Sequence, residues 1–385
     1  MPRLLVPLLL AALGLTGCDA GVTVGQSPDP NHHPAGWKRV ADLPLTPRSG
    51  SVVVTTPRGI VVVGGDVGDP CSPNADCARV EAARDGAILD PSTGRWRPIA
   101  PAPVDIAAYH HGVVAGGHLF ALVDGALLDY DLAADRWHTL RQVSPWYDLE
   151  ADGRQLVLFS GSDEGGVRPD LIYDVPTGRW SSLPPDPIGR AFDRGITATP
   201  SGLVLTAHAL VPSPGGGDSP TLTLAARYDR AARSWTRLPD ATDMLGARPW
   251  AWTDRRMVVV ALDATDGGGD PPGDYGRRIP FGGTLDPTTG TWSRLPKPPR
   301  YLSGVWNVDA VGGPLVAAEG WIYDDETETW LKVPRPRGAP PRPGPATWVG
   351  STVYVIGGLD DGARQAEDAY DLRVWSWTPE TKPRL

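Results

Sequence analysis

Cysteine is nearly missing from this chain, with three residues in 385, and one of these, Cys18, lies close to the N-terminus. That leaves Cys71 and Cys77, too few for a fold held mainly by disulfides. Long apolar runs are missing too: the stretch 4–15 holds twelve residues, short of the roughly 20 that a membrane-spanning helix needs. Basic residues are outnumbered, 36 against 45 acidic, for a net charge of −9, which argues against a dedicated nucleic-acid binder. No Gly-x-Ser-x-Gly, His-Glu-x-x-His or phosphate-loop motif occurs, so the familiar hydrolase, zinc-protease and nucleotide-binding signatures are excluded. Of seven histidines, only His110, His111 and His118 form a local group outside the pair His32-His33. What the chain does have is glycine (46), proline (42) and tryptophan (15). Turn residues combined with large aromatics suit many short strands, because a disordered segment would lack the tryptophan.

The tryptophans are spaced. An aspartate stands six positions before Trp96, Trp137, Trp180, Trp235, Trp292 and Trp330, and these tryptophans are 38 to 57 residues apart. Recurrence at such a period marks a repeat architecture. In Asp90-Pro-Ser-Thr-Gly-Arg-Trp96 the aspartate can accept hydrogen bonds from the backbone just downstream, proline presets φ, and glycine tolerates positive φ. The motif therefore predicts a hairpin turn with the tryptophan on the return strand. A seventh match, Asp371/Trp377, falls out of phase. The turn text there is Thr378-Pro-Glu-Thr, which puts Trp377 where other repeats carry tyrosine. On this register the last module lacks its outer strand, and the spare strand around Trp37 is expected to supply it.

The N-terminus joins a basic start, Met1-Pro-Arg3, to the apolar run and then to Leu15-Thr-Gly-Cys18. This order fits a secretory signal, and its end resembles the bacterial lipobox, in which the cysteine becomes the acylated first residue of the mature chain. An ordinary signal peptide with a chance cysteine is the competing reading. The expected division is a signal peptide over 1–17, a lipid-anchored flexible tether over 18–33 and a folded domain over 34–385. The chain would then face the periplasm or the exterior from a bacterial membrane. In such a compartment Cys71 and Cys77 are expected to pair, since two thiols without a nearby third ligand make a poor zinc set.

Between tryptophans the same elements return: Leu43-Pro44, Pro47-Arg-Ser-Gly50, an apolar run, Gly59-Ile-Val-Val-Val-Gly-Gly65, then Gly86-Ala-Ile-Leu-Asp90. Each module reads as four short strands, and there are seven modules. The Pro-Arg-Ser-Gly text, the double glycine (also Gly357-Gly358), the Tyr-Asp pairs such as Tyr130-Asp131 and the spaced tryptophans resemble the kelch repeat. Over about 34–385 that resemblance implies an all-β, seven-bladed propeller of four-stranded antiparallel blades around a channel. Elsewhere Ala207, Ala261 and Ala317 stand in for the double glycine.

Function is less legible. Long connections between second and third strands fall at 66–85, 208–221, 263–283 and 358–368. In kelch-like propellers they share a face with the blade-to-blade links, the usual partner-binding face. Arg48, Arg190, Arg194, Arg248, Arg300 and Arg342 recur near the start of innermost strands and would suit a carboxylate or sulfate if they lined the channel mouth. The opposing view is that Pro-Arg is part of the repeat itself. Tyr301, His110 and Trp146 lie nearby as candidate ligand contacts, although surplus aromatics more often pack blade against blade. The acidic groups Asp66/Asp69 and Asp263/Asp266/Asp270 offer oxygen ligands for calcium but lack an EF-hand-like alternation. No cofactor, metal or nucleic-acid partner is expected. The reading is a non-catalytic binding platform for a protein or glycan on the long-loop face. The alternative is a sugar mutarotase or isomerase resembling the kelch-type sialic-acid epimerase, with His110, His208 or a loop carboxylate as acid or base among the channel-mouth arginines.

Overall fold

The computed structural model describes residues 36–70, 81–108, 110–209, 222–242, 249–266, 277–297, 305–360, 362–363 and 365–380. Cys18, Cys71, Cys77, Arg248, Arg300 and Tyr301 lie outside them, as do the signal-peptide and tether readings. Strands dominate, and they group into seven antiparallel sheets, six of four strands and one of five. In chain order the blades cover 52–99, 112–142, 147–182, 191–237, 251–294 and 310–332, and the seventh combines 342–377 with Lys38–Arg39.

The apolar text of the middle strands follows from how blades stack. Gly59–Val63 is buried at all five positions. Ile60 and Val62 join a cluster with Tyr354, Ile356 and Val374 of the seventh blade. Val61 and Val63 point the other way, to Leu119 and Leu128 of the second. A strand covered on both faces has no reason to alternate polar and apolar residues. Seven such clusters occur, one at each junction between neighbouring blades, so the core is a ring of seams.

The aspartate turns form as expected. Asp131 Oδ1 accepts the Ala133 and Ala134 N–H groups, and Asp229 Oδ1 those of Ala231 and Ala232. Such bonds favour the ionised form. The Ala134 N–H holds Asp131, and the Ala232 N–H holds Asp229, below the usual carboxylate range. Four residues after each aspartate the backbone takes positive φ: Gly94, Gly178 and Gly290 do so at +67° to +72°, and Asp135, Arg233 and Glu328 at +51° to +55°.

Each tryptophan then reaches the neighbouring blade. The Nε1–H groups of Trp96, Trp137, Trp235, Trp292 and Trp330 donate to the carbonyls of Ala41, Ala100, Pro184, Pro239 and Pro296, at 2.7–3.0 Å. Each acceptor lies four residues after the tryptophan of the preceding blade, and in three of the five it is the proline of a Leu-Pro pair. At the Trp180 junction the residue in that position is Arg141, whose guanidinium lies 5.0 Å from the Trp180 ring centre. The tyrosine before the turn packs on the same tryptophan, with ring centres of Tyr130 and Trp137 at 4.8 Å and of Tyr323 and Trp330 at 5.0 Å.

The ring closes as the register predicted. Lys38 pairs with Ser376 and Arg39 with Trp375, which makes the N-terminal segment the outer strand of the last blade. Trp37 therefore faces Trp377, with ring centres 5.3 Å apart, and its Nε1–H donates to the Pro334 carbonyl at 2.8 Å. Asp371 opens no hairpin: it lies within the strand Tyr370–Trp377, where it pairs with the Arg373 guanidinium.

The long connections differ in part from expectation. In the fifth blade the strands run as Met257–Asp266 and Arg277–Asp286, paired as far as Asp266 with Arg277, so much of 263–283 is ladder. The 358–368 connection contains the short helix Ala366–Ala369, whose Ala366 N–H donates to Asp69 of the first blade.

Trp37 separates the packing and hydrogen-bonding parts of closure. Trp37→Phe, which removes the bond to Pro334, is expected to cost about 1 kcal/mol. Trp37→Ala, which also empties a buried site, is expected to cost about 3–5 kcal/mol. Urea denaturation of both variants measures the difference.

Candidate functional site at the channel mouth

Second strands and outer strands end on one face of the ring, and there a recess of about 540 Å³ opens at the channel mouth. Four consecutive blades around the closure line it. The first contributes Arg48, Ser49 and Asp66, the second His110 and His111, the sixth Asn307 and Asp309, and the seventh Arg342 with Gly357 and Gly358. Its volume lies in the range of small-molecule and side-chain pockets.

The recurrent arginine proves to be internal. Arg48 is 3% exposed. Its Nε donates to the Thr46 carbonyl, Nη1 to Asp85 Oδ1 and the Gly64 carbonyl, and Nη2 to Thr46 Oγ1 and Asp85 Oδ2, at 2.6–3.3 Å. A guanidinium has five N–H groups, and all five are engaged within the fold. The double glycine belongs to the same arrangement. A Cβ on Gly64 would stand 2.5 Å from Ile106, and one on Gly65 2.6 Å from Ser51 Oγ. The fourth blade repeats the theme with Arg194, also 3% exposed, which donates to the Ser160 carbonyl, Asp186 and Asp170. Arg190 is exposed, and its Nη2 donates to the Asp163 carbonyl at 3.2 Å. The expectation of a cationic ring offering free guanidinium groups is thus corrected for Arg48: the Pro-Arg text braces the blade.

The other candidates disperse. His110 reaches the recess. Trp146 stands at the entry to the third blade, 68% exposed and apart from the recess lining. Most of the surplus aromatics pack: Trp306 is fully buried and donates to the Pro340 carbonyl, and Trp250 meets Trp292 edge-on at 5.6 Å. Asp66 and Asp69 serve different places, Asp66 accepting the Ala108 N–H and Asp69 that of Ala366. Among the described residues no group of three or more His, Cys, Asp or Glu could hold a metal ion.

Two carboxylates that sequence reasoning had not singled out carry unusual electrostatics. Burial pushes the Asp309 carboxyl up, and only the Glu319 backbone N–H pulls it back. On the inner strand of the third blade, Glu150 accepts the Ala198 N–H of the fourth at 2.7 Å. Burial, reinforced by Asp152 and Asp148, raises Glu150 to about 7. No sequence motif marks either residue. Asp309 stands just before the inner strand of a degenerate module, and its neighbours at the mouth come from distant parts of the chain.

No family model matches the chain. Kelch-like protein 24 of rat, human and mouse is 30% identical over 132 residues, which cover 32% of this chain and 21% of each relative. The match thus spans about a fifth of those proteins' length. Among solved structures, that of YjhT superposes with a TM-score of 0.37 and 14% identity, covering 61% of this chain and 81% of that one.

Two outcomes follow. Arg48→Ala is expected to cost about 2–3 kcal/mol in chemical denaturation, through lost buried hydrogen bonds. For Glu150, a folded-state value above the unfolded one of 4.5 means stability that declines as pH rises between the two. Glu150→Gln keeps the Ala198 acceptor, so its melting temperature is expected to match wild type near about pH 5 and exceed it near about pH 8. The seven junction-packed blades and the partial likeness to kelch-like protein 24 support a kelch-type propeller.

Proposed function

We propose that this protein is a non-catalytic binding platform, lipid-anchored through Cys18 outside the cytoplasm, which takes a protein or glycan ligand on the face that carries the channel mouth. The carrying observation is the 540 Å³ recess built by four blades on that face. A rigid ring that presents a recess among connecting segments is a common way to place recognition groups. The kelch-type propeller is a fold compatible with interaction roles, although fold alone never fixes function. The N-terminal signal-and-cysteine text supports export and acylation, and export favours a Cys71–Cys77 bridge. The sugar mutarotase or isomerase alternative rests on Asp309, a carboxyl whose raised proton affinity suits a general acid.

Expression with a radiolabelled fatty acid tests the anchor: label and membrane fractionation are expected for wild type and lost in Cys18→Ser. A thermal-shift screen of glycans and peptides tests the face. Ligands of the recess are expected to lose their shift in a His110→Ala/Asn307→Ala variant and to be recovered chemically unchanged. Shifts that survive the double variant would place binding elsewhere, and conversion of a ligand would favour the enzyme.

A further inference from the structure

We infer that the channel-mouth recess selects a positively charged group, an ammonium or guanidinium on an aliphatic stem, with Asp309 and Asp66 as its counter-charges. This inference deepens the platform reading and rests on it. Strong anion recognition at the mouth would call for a free guanidinium, and Arg48, the arginine that reaches the recess from the first blade, has every N–H engaged and its charge matched by Asp85. Arg342, on the seventh blade, is engaged as well. Asp371 lines the recess but is matched by Arg373.

Asp66 and Asp309 remain among the described lining residues. They come from the first and sixth blades, on either side of the closing blade. Asp66 accepts one backbone N–H, from Ala108, and Asp309 one, from Glu319. An ionised carboxylate has about four lone-pair sites, so each keeps acceptor capacity. Asp309 is exposed at the recess, and the protein atoms around it already disfavour its charge. An arriving cation would relieve that cost through charge-assisted hydrogen bonds, stronger than neutral ones. Val52, Val53, Pro343 and Ile356 add apolar wall beside the polar Ser49, His110, His111 and Asn307. Apolar walls with carboxylates fit a lysine- or arginine-like group, whose methylene stem prefers apolar contact while its head takes hydrogen bonds. A sugar acid offers the opposite charge and no such stem.

Isothermal calorimetry on the purified full chain tests this with cadaverine as the cationic probe and glucuronate as the anionic one. Cadaverine is expected to bind, with affinity lowered about tenfold or more in Asp309→Asn. It should change less than about twofold in Asp254→Asn, which removes an equal charge from an exposed turn between the inner and second strands of the fifth blade, on the opposite face of the ring. A lysine-rich peptide that binds more tightly than cadaverine would assign the cation to a partner protein, and the reverse order to a free amine. Equal losses in both variants would reduce the effect to general electrostatics and overturn the inference. Tighter binding of glucuronate would also overturn it while leaving the platform reading intact. Binding of neither probe removes the charge assignment, and the thermal-shift screen with the double variant then decides the platform reading separately.

Discussion

One hydrogen bond, repeated at six of the seven junctions, organises this molecule: an indole N–H of one blade donates to a backbone carbonyl of the blade before it. A single blade has two apolar faces and cannot bury either alone, so packing provides most of the driving force for stacking. Packing, however, is nearly indifferent to small rotations of one sheet on another. The indole bond is directional, and it is made by a side chain that also stacks on its own blade. It therefore sets how far each blade turns relative to the last. The aspartate turn matters for the same reason, since it fixes the strand on which the tryptophan stands.

Closure uses the same parts. Residues 37–41 give Trp37 to Pro334 on one side and accept Trp96 at Ala41 on the other. This short segment thus belongs to two junctions at once. The Arg48–Asp85 brace and the Asp69 cap on Ala366 lie on the recess-bearing face near that closure, where four blades come together around the recess. The part of the molecule that holds the ring shut also builds the recess.

The fold was legible because its signals are local. Asp90 to Trp96 is one hairpin written in seven residues, and its recurrence reveals the blade count. Even the closing strand could be read, because Trp377 occupies a tyrosine position. The site was not legible, for a physical reason. Arg48 looks the same in sequence whether its guanidinium faces a ligand or its own backbone, and Asp85, which decides the matter, lies 37 residues away. Asp309 carries no motif, since what distinguishes it is its surroundings in the ring. The acidic pair Asp66/Asp69 reads as a unit in sequence, yet the two residues serve different neighbours.

The clasp has a consequence for biosynthesis. Lys38 and Arg39 pair with Ser376 and Trp375, more than 330 positions later. During synthesis six blades can stack in order as they emerge, but the seam between the last and first must wait for the final strand. Until then Trp37, Ile60 and Leu89, nearly or fully buried in the finished ring, have no partner surface to cover them. A nascent or truncated chain therefore displays the binding signal that holdase chaperones and proteases recognise. The ring's last contact doubles as a completeness check on the polypeptide.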